Sequence, residues 1–217
     1  MKNKGIIIFF LIAVVVISAI IWFIGTIFSP EKEEKPKEIP LDEVEITRNH
    51  LRNHSFESEF TPADWRIISN HDSYVTLFDN AVRKDGNYSL QLNSDKEGDS
   101  FVIAAQSLKK VEAEMKYIFF ALIKAEEADS VKLEIRATGE KDSLIIAGVS
   151  EVIKGTTDWQ MLVAWVRTTN PKIIRIEAAA MLMGRGRMWI DDCKLYKVPV
   201  EYPFSRIDFG KLLQEKK

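Results

Sequence analysis

Cysteine is almost missing from this chain, whose 217 residues include one, Cys193. An intramolecular disulfide is therefore impossible, and a zinc site built on paired cysteines is excluded. The chain also lacks an excess of either charge, with 30 basic and 32 acidic residues and a formal net charge of −2. No basic run stands out, which argues against a nucleic-acid-binding protein. The sequence lacks a G-x-S-x-G motif and any evident pairing of a nucleophile with a base. We therefore expect a protein that is not an enzyme.

A long apolar run lies near the N-terminus. Residues 6–28 contain no charged side chain, and about 20 apolar residues are enough to span a bilayer as a helix. A cleavable signal peptide has a shorter apolar core of roughly 7–15 residues, followed by a small-x-small cleavage site. The sequence therefore predicts an uncleaved anchor within residues 1–28. Its short basic head, with Lys2 and Lys4, favours an extracytoplasmic location for the remainder, although lysines also follow the run.

Composition changes again after the anchor. Residues 29–47 hold three prolines and many charges, which is typical of an extended linker. Residues 48–198 then alternate apolar and polar positions in short runs separated by turn-forming residues, as expected for antiparallel strands with one buried face. We predict strands at 51–57, 74–79, 88–93, 100–108, 114–125, 130–137, 143–153, 159–168, 172–182 and 187–197. This series predicts an all-β antiparallel β-sandwich. Residues 199–217 form a tail that either packs back through its aromatic residues or ends in a short helix.

Four motifs follow one another within the predicted sandwich. They are LRNHSFE with ADW at 51–57 and 63–65, DGNYSLQL at 85–92, TDWQMLVAWV at 157–166, and MWIDDCKL at 188–195. Their order and spacing resemble those of carbohydrate-binding modules of families four, nine and twenty-two, which share the galactose-binding-like jelly roll. The resemblance covers nearly all of residues 48–198 and implies a jelly-roll fold and non-catalytic glycan binding. It speaks for the fold more strongly than for the activity, because this sandwich hosts many functions.

The last motif contains an aspartate at a position where alternation predicts a core side chain. Asp191 shares its predicted face with Cys193, and a buried carboxylate is costly unless it is paired, hydrogen-bonded or bound to a metal. The resemblance implies a structural Ca²⁺ ion, held by Glu57 and Asp191 with backbone oxygens near residues 85–87. Ca²⁺ prefers several oxygen ligands, which agrees with such a site. The alternative is that Asp191 accepts backbone N–H groups or pairs with an arginine such as Arg187.

The predicted strand at 159–168 has an unusual outward face. Leu162 and Val166 match positions that the motif buries, so Met161 and Trp165 face the other way. An outer face that mixes apolar, aromatic and charged side chains is typical of a ligand cleft or a protein interface. The predicted ligand-binding residues are Trp165, Arg175, Glu177, Tyr74 and Phe78. The alternative is that the C-terminal tail covers this face.

These observations support two functional hypotheses. The first is a membrane-anchored, non-catalytic carbohydrate-binding module displayed outside the cytoplasm. The second is an accessory subunit of a membrane or cell-envelope complex that uses the same sandwich to bind protein. The four motifs favour the first hypothesis, whereas the face around Met161 and Trp165, with few polar partners, favours the second. In both cases the partners are the membrane, contacted through one helix, and a glycan or an envelope protein.

Overall fold

The computed structural model describes residues 48–58 and 64–214, which form strands, two short 3-10 turns and one short helix. The strands are β1 Arg66–Ser69, β2 Tyr74–Asp79, β3 Ser89–Ser94, β4 Phe101–Leu108, β5 Met115–Thr138, β6 Leu144–Val149, β7 Ile153–Arg167, β8 Arg175–Met183 and β9 Gly186–Pro199. The helix, α1, spans Phe209–Gln214. Within the described residues, no helix has the length and apolar character needed to cross a bilayer. The predicted anchor (1–28) and linker (29–47) lie outside those residues.

The long strand β5 belongs to both layers of the fold. Its first part pairs with β7 and β9, and its second part pairs with β8 and β6, always antiparallel. We call β2, β3, β9, β7 and the first part of β5 sheet 1, and β1, β4, β8, β6 and the second part of β5 sheet 2. The fold is therefore an all-β antiparallel sandwich, as predicted.

The crossover in β5 depends on a close approach of two backbones. The register between β5 and β7 shifts repeatedly from Ile123 to Val131, and Glu127 adopts a left-handed conformation with φ of 48°. Gly186, at the start of β9, lies directly against this bend. A Cβ at Gly186 would lie 2.4 Å from Cα of Ala128, so only glycine fits there. β9 can thus begin beside the point at which β5 leaves sheet 1.

Both sheets contribute apolar side chains to one central core. In β5, Val131, Leu133 and Ile135 are fully buried, while the intervening residues face outward. Because strand side chains alternate with period two, each strand turns one apolar row inward. Phe119 and Tyr117, from the sheet 1 part of β5, fill the same core. Burial of these rows is the main force that holds the two sheets together.

The predicted strands differ from the structure in three places. Residues 51–57 form a loop and no strand, because Asn53 and Phe56 have left-handed backbones with φ of 42° and 59°. Phe56 nevertheless packs in the core against Trp65, with the ring centroids 5.6 Å apart. The short strand β1 was not predicted. The predicted strands 114–125 and 130–137 are one continuous strand, β5.

The predicted facing of β9 is also wrong in its first half. Asp192 has φ of 47°, and the register with β5 shifts between Phe120 and Leu122, which indicates a β-bulge. A bulge places one extra residue in a strand and reverses the facing of the residues beyond it. Cys193 therefore points into the core, as predicted, whereas Asp191 lies on the opposite side of the strand from the core residue Ile190.

The C-terminal tail packs on the outer face of sheet 1. Phe209, in α1, contacts Phe120 edge to face with a centroid separation of 5.1 Å. Tyr202 is buried in the same apolar cluster, and its carbonyl accepts a 2.6 Å hydrogen bond from Lys116 Nζ. Burial, together with the positive charge of Arg167, lowers the pKa of Lys116. Both outcomes considered for the tail, packing back and a short helix, therefore occur together.

Candidate functional site

A polar cavity of about 290 Å³ lies beside the crossover of β5. Its size is close to the lower end of small-ligand pockets, about 300 Å³. Three segments that are distant in sequence meet here: the end of β3, the bend in β5, and the hairpin that leads into β9. The lining residues are Asn93, Ser94, Asp95, Glu126, Glu127, Arg185, Gly186 and Arg187.

Three of the lining side chains stand in one row across adjacent strands. Asn93 of β3 is paired with Arg187 of β9, which is paired in turn with Glu126 of β5. Arg187 donates a 2.6 Å hydrogen bond from Nη2 to Oε1 of Glu126. Neighbouring strands lie about 4.8 Å apart, so this row presents an amide, a guanidinium and a carboxylate over a short distance.

An aromatic ring supports this row from the adjacent position of β9. The guanidinium of Arg187 lies 5.8 Å from the ring centroid of Trp189. The indole N–H of Trp189 donates a 2.8 Å hydrogen bond to Asp79, which fixes the ring orientation. Trp189 is 2% exposed. Although buried, it lies on the opposite side of β9 from the core residues Met188 and Ile190.

A second arginine borders the cavity from the hairpin before β9. Arg185 forms an ion pair with Glu97 at 3.2 Å, and its backbone N–H donates to Asp129 at 2.8 Å. Asp95 and Glu127 also line the cavity. The site therefore offers many hydrogen-bond acceptors, together with amide and guanidinium donors. Such a lining suits a ligand whose groups both donate and accept hydrogen bonds, as hydroxyl groups do.

Trp165 lies on the outer face of sheet 1, as the predicted alternation requires. Its side chain is 40% exposed, whereas Leu162 is buried at 4%. Its ring lies 6.1 Å from that of Phe204 and 5.5 Å from the guanidinium carbon of Arg167. The tail thus covers this face in part. Trp165 pairs with Ile118, which is about 26 Å along β5 from the cavity residue Glu126.

Glu177 and Arg175 belong to sheet 2, so they do not share a surface with Trp165. Glu177 is 6% exposed and accepts a 2.6 Å hydrogen bond from Arg66. Glu177 also lies 3.9 Å from the guanidinium of Arg136, which in turn pairs with Glu134 at 2.6 Å. Burial raises the pKa of Glu134, but the hydrogen bond and charge of Arg136 outweigh it, so the pKa is lower than usual. A lowered pKa suits a permanently ionised group and not a general acid.

Tyr74 and Phe78 lie in β2, at the edge of sheet 1 opposite β7. Phe78 points toward the core and lies 6.0 Å from Phe56, ring centroid to ring centroid. Tyr74 is 37% exposed on the same side of the strand. The five predicted ligand-binding residues are therefore in three separate places, and the expectation that they share one face is corrected. Their individual roles in ligand binding remain predictions.

The two predicted calcium ligands flank the loop before β3. Oδ2 of Asp191 accepts backbone N–H groups of Lys84 and Asp85 at 2.8 and 2.9 Å, and Oδ1 accepts that of Asp192 at 2.8 Å. Burial raises the pKa of Asp191 to about 6, although these hydrogen bonds oppose the rise. The hydrogen-bonding alternative considered for Asp191 is thus present. Within residues 48–58 and 64–214 the arginine alternative is not seen, because Arg187 pairs with Glu126 and no arginine forms an ion pair with Asp191.

Glu57 holds the other side of the same loop. Its Oε1 accepts the N–H groups of Asn87 and Tyr88 at 2.7 and 2.9 Å, and its Oε2 accepts the Asn87 side chain at 2.8 Å. Gly86 has φ of 62°, which L side chains rarely adopt, and a Cβ there would lie 2.3 Å from Oε1 and displace the Glu57 carboxylate. The described residues contain no cluster of three or more His, Cys, Asp or Glu side chains suited to a metal. A Ca²⁺ ion held by Glu57 and Asp191 would therefore need backbone oxygens, and this site stays a prediction.

The cavity could not be found from the sequence. Its lining comes from 93–95, 126–127 and 185–187, which carry no shared motif. The hairpin before β9 was correctly predicted as a turn, but a turn does not reveal which strands it will lie beside. Only the crossover of β5 brings these segments together.

Neither a protein-family model nor a curated protein sequence matches this chain. Solved structures do resemble it. The enzymatically active domain of bacteriophage CBA120 tailspike protein 4 aligns with a TM-score of 0.54 and 14% identity, over 69% of this chain and 21% of that one. A cyclase from Fischerella sp. TAU aligns with a TM-score of 0.56 and 13% identity, over 71% and 98% of the respective chains.

A structure reported for carbohydrate-binding modules of the β-sandwich superfamily gives the comparison that bears on the four motifs. It aligns with a TM-score of 0.53 and 8% identity, over 68% of this chain and 61% of that one. The domain has the jelly-roll fold of carbohydrate-binding modules. Because all three identities are low, this likeness establishes the fold alone.

Proposed function

We propose that this protein is a non-catalytic, carbohydrate-binding protein whose glycan site is the cavity beside the β5 crossover. The observation that carries the proposal is the row formed by Asn93, Arg187 and Glu126. Sugars present hydroxyl groups, each of which donates one hydrogen bond and accepts others. Amide, guanidinium and carboxylate groups side by side satisfy both needs, and the fold shared with carbohydrate-binding modules agrees with this use.

The chemistry of the cavity supports binding without catalysis. Hydrolysis of a glycosidic bond ordinarily needs two carboxyl groups, one of them with a raised pKa so that it can act as an acid. Glu126 is held in an ion pair by Arg187 at 2.6 Å. The buried acids of sheet 2 are engaged with arginines in the same way. These acids are therefore engaged in ion pairs within the chain, which agrees with a binding role.

The site assignment is tested by two substitutions in the row. In the full chain in detergent, we expect Asn93→Ala and Arg187→Ala each to weaken binding to a glycan identified on an array by about tenfold or more, because each removes direct hydrogen bonds. Isothermal titration measures the affinity, and a thermal melt confirms that each variant is folded. Arg167→Ala, on the Trp165 face, is the matched control and should leave glycan affinity unchanged. If Arg167→Ala abolishes binding while Arg187→Ala does not, the cavity is the wrong site.

We further propose that residues 1–28 anchor the protein and that the sandwich is displayed outside the cytoplasm. The support is the apolar run at 6–28 with its short basic head. We expect the full-length protein to stay with the membranes after alkaline carbonate extraction, and protease added to intact cells to digest residues 48–217. Release of a shortened soluble form would contradict the anchor. Protection of the domain from protease would contradict the orientation.

Protein binding is the second candidate function, and the surface that favours it lies on the other half of sheet 1. Trp165, Met161 and Phe204 are 40%, 36% and 36% exposed. Aromatic residues of this kind often anchor protein interfaces. An accessory subunit of an envelope complex would use this surface, which is separate from the cavity. The two functions are therefore distinguished by variants at different sites.

A further inference from the structure

The arginines that border the cavity are already neutralised by partners from the same chain. Arg187 pairs with Glu126 at 2.6 Å, and Arg185 pairs with Glu97 at 3.2 Å. An arginine in such a pair can still donate from its remaining N–H groups, because a guanidinium has five donors. Its charge, however, is no longer available to balance an added anion.

Two further carboxylates line the cavity without a cationic partner in the described part of the chain. Asp95 follows β3, and Glu127 lies at the left-handed bend of β5. Across residues 48–58 and 64–214, neither side chain forms an ion pair with a lysine, arginine or histidine. The lining residues therefore include three with carboxylates and two with guanidinium groups, so their summed formal charge is negative.

We propose that this cavity selects neutral or amino-bearing saccharides and rejects saccharides that carry carboxylate or sulfate groups; the inference rests on the proposed glycan binding. A neutral sugar donates hydrogen bonds from its hydroxyl groups to the carboxylates of Asp95 and Glu127. A protonated amino group gains attraction from both carboxylates. An acidic sugar would bring a third negative charge beside them, or would have to displace Glu126 or Glu97 from its arginine. Asp95 and Glu127 are exposed, so like charges beside them repel each other through a medium that salt can screen.

The test compares neutral, amino-bearing and acidic tetrasaccharides on the full chain in detergent. The probes are β-1,4-linked tetramers of glucose, N-acetylglucosamine and glucosamine, and an α-1,4-linked galacturonate tetramer, each titrated at pH 7. We expect the galacturonate tetramer to bind at least about tenfold more weakly than the best neutral or amino tetramer, and this difference to shrink in 0.5 M salt because salt screens the repulsion. A galacturonate tetramer that binds as tightly as that ligand would overturn the charge selection and leave glycan binding in place.

A double substitution assigns the cause of the selection. In the Asp95→Asn, Glu127→Gln variant, we expect the galacturonate tetramer to come within about threefold of the best neutral ligand, since the two amides carry no charge. The matched control is Glu140→Gln, which removes an exposed carboxylate at the far end of β5 and should keep the full discrimination. Unchanged discrimination in the double variant would contradict the assignment. Absence of binding to any saccharide would overturn the proposed function and this inference together.

Discussion

Replacing Asp191 by asparagine is expected to lower the free energy of unfolding by about 2–4 kcal/mol, because at least one backbone donor loses its acceptor in a site where water cannot replace it. Asparagine keeps the shape but has one acceptor oxygen, so its NH₂ group must face either the N–H groups of Lys84 and Asp85 or that of Asp192, none of which it can accept. Asp191 is fully buried. Urea unfolding of the full chain in detergent measures the effect.

The control for this substitution is Asp72→Asn, which alters an exposed carboxylate. A surface change of this kind usually shifts stability by less than about 0.5 kcal/mol. If Asp191→Asn is equally mild, the hydrogen bonds to residues 84–85 do not hold the loop in solution, and the arrangement described for Asp191 is incorrect.

The wild-type protein and the Asp191→Asn variant also test the predicted calcium site. An ion bound by Glu57 and Asp191 in the folded state raises stability by mass action. Chelation of divalent ions should then lower the melting temperature of the wild-type protein, added Ca²⁺ should restore it, and Asp191→Asn should respond to neither. A wild-type melting curve that chelation leaves unmoved would show that hydrogen bonds alone hold this loop.

Leu162→Ala is the second substitution with a large expected effect, about 2–5 kcal/mol of lost stability, because it opens a cavity in the core. Trp165→Ala, three positions along the same strand, should cost about 1 kcal/mol, since the tryptophan side chain is 40% exposed and Leu162 is 4% exposed. Thermal melts and urea unfolding of both variants give the comparison. A stable Leu162→Ala beside a strongly destabilised Trp165→Ala would mean that the two faces of β7 are exchanged.

The Trp165→Ala variant also distinguishes the two candidate functions, glycan binding and protein binding. If an envelope protein binds the face that includes Trp165, the Trp165→Ala variant should no longer form a crosslinked complex with that protein in a detergent extract. Its affinity for the glycan should be retained. An aromatic anchor in an interface often contributes more than about 2 kcal/mol to binding. Loss of glycan affinity in a folded Trp165→Ala variant would instead place the sugar on this face and contradict the cavity assignment.

Much of the fold was determined by local sequence pattern. In the predicted strand at 130–137, the segment VKLEIRA alternates apolar and polar residues and places Leu133 and Ile135 on one face, and both are fully buried. The alternation in β7 predicted the facing of Leu162 and Trp165 correctly. These predictions succeed because strand side chains change sides with every residue, so apolar residues at alternate positions identify the buried face of the strand.

The alternation of apolar and polar residues did not predict the irregular parts of the backbone. The bulge at Asp192 reverses the facing of β9, and the left-handed residues at Asn53 and Phe56 replace a predicted strand by a loop. A bulge adds one residue without a distinctive side chain, so alternation alone cannot locate it. The prediction that Asp191 is buried was right, but for the wrong face.

The candidate site was decided by tertiary structure. The sequence by itself determined an antiparallel sandwich, the order of its motifs, and which residues of most strands face the core, since these follow from local periodicity. It did not determine that β5 passes from one sheet to the other at Glu127, nor that Asn93 and Arg187 would stand beside Glu126. Pairing between strands that are distant along the chain depends on how all the apolar rows are buried together. The ligand cavity at their meeting point is a product of that packing.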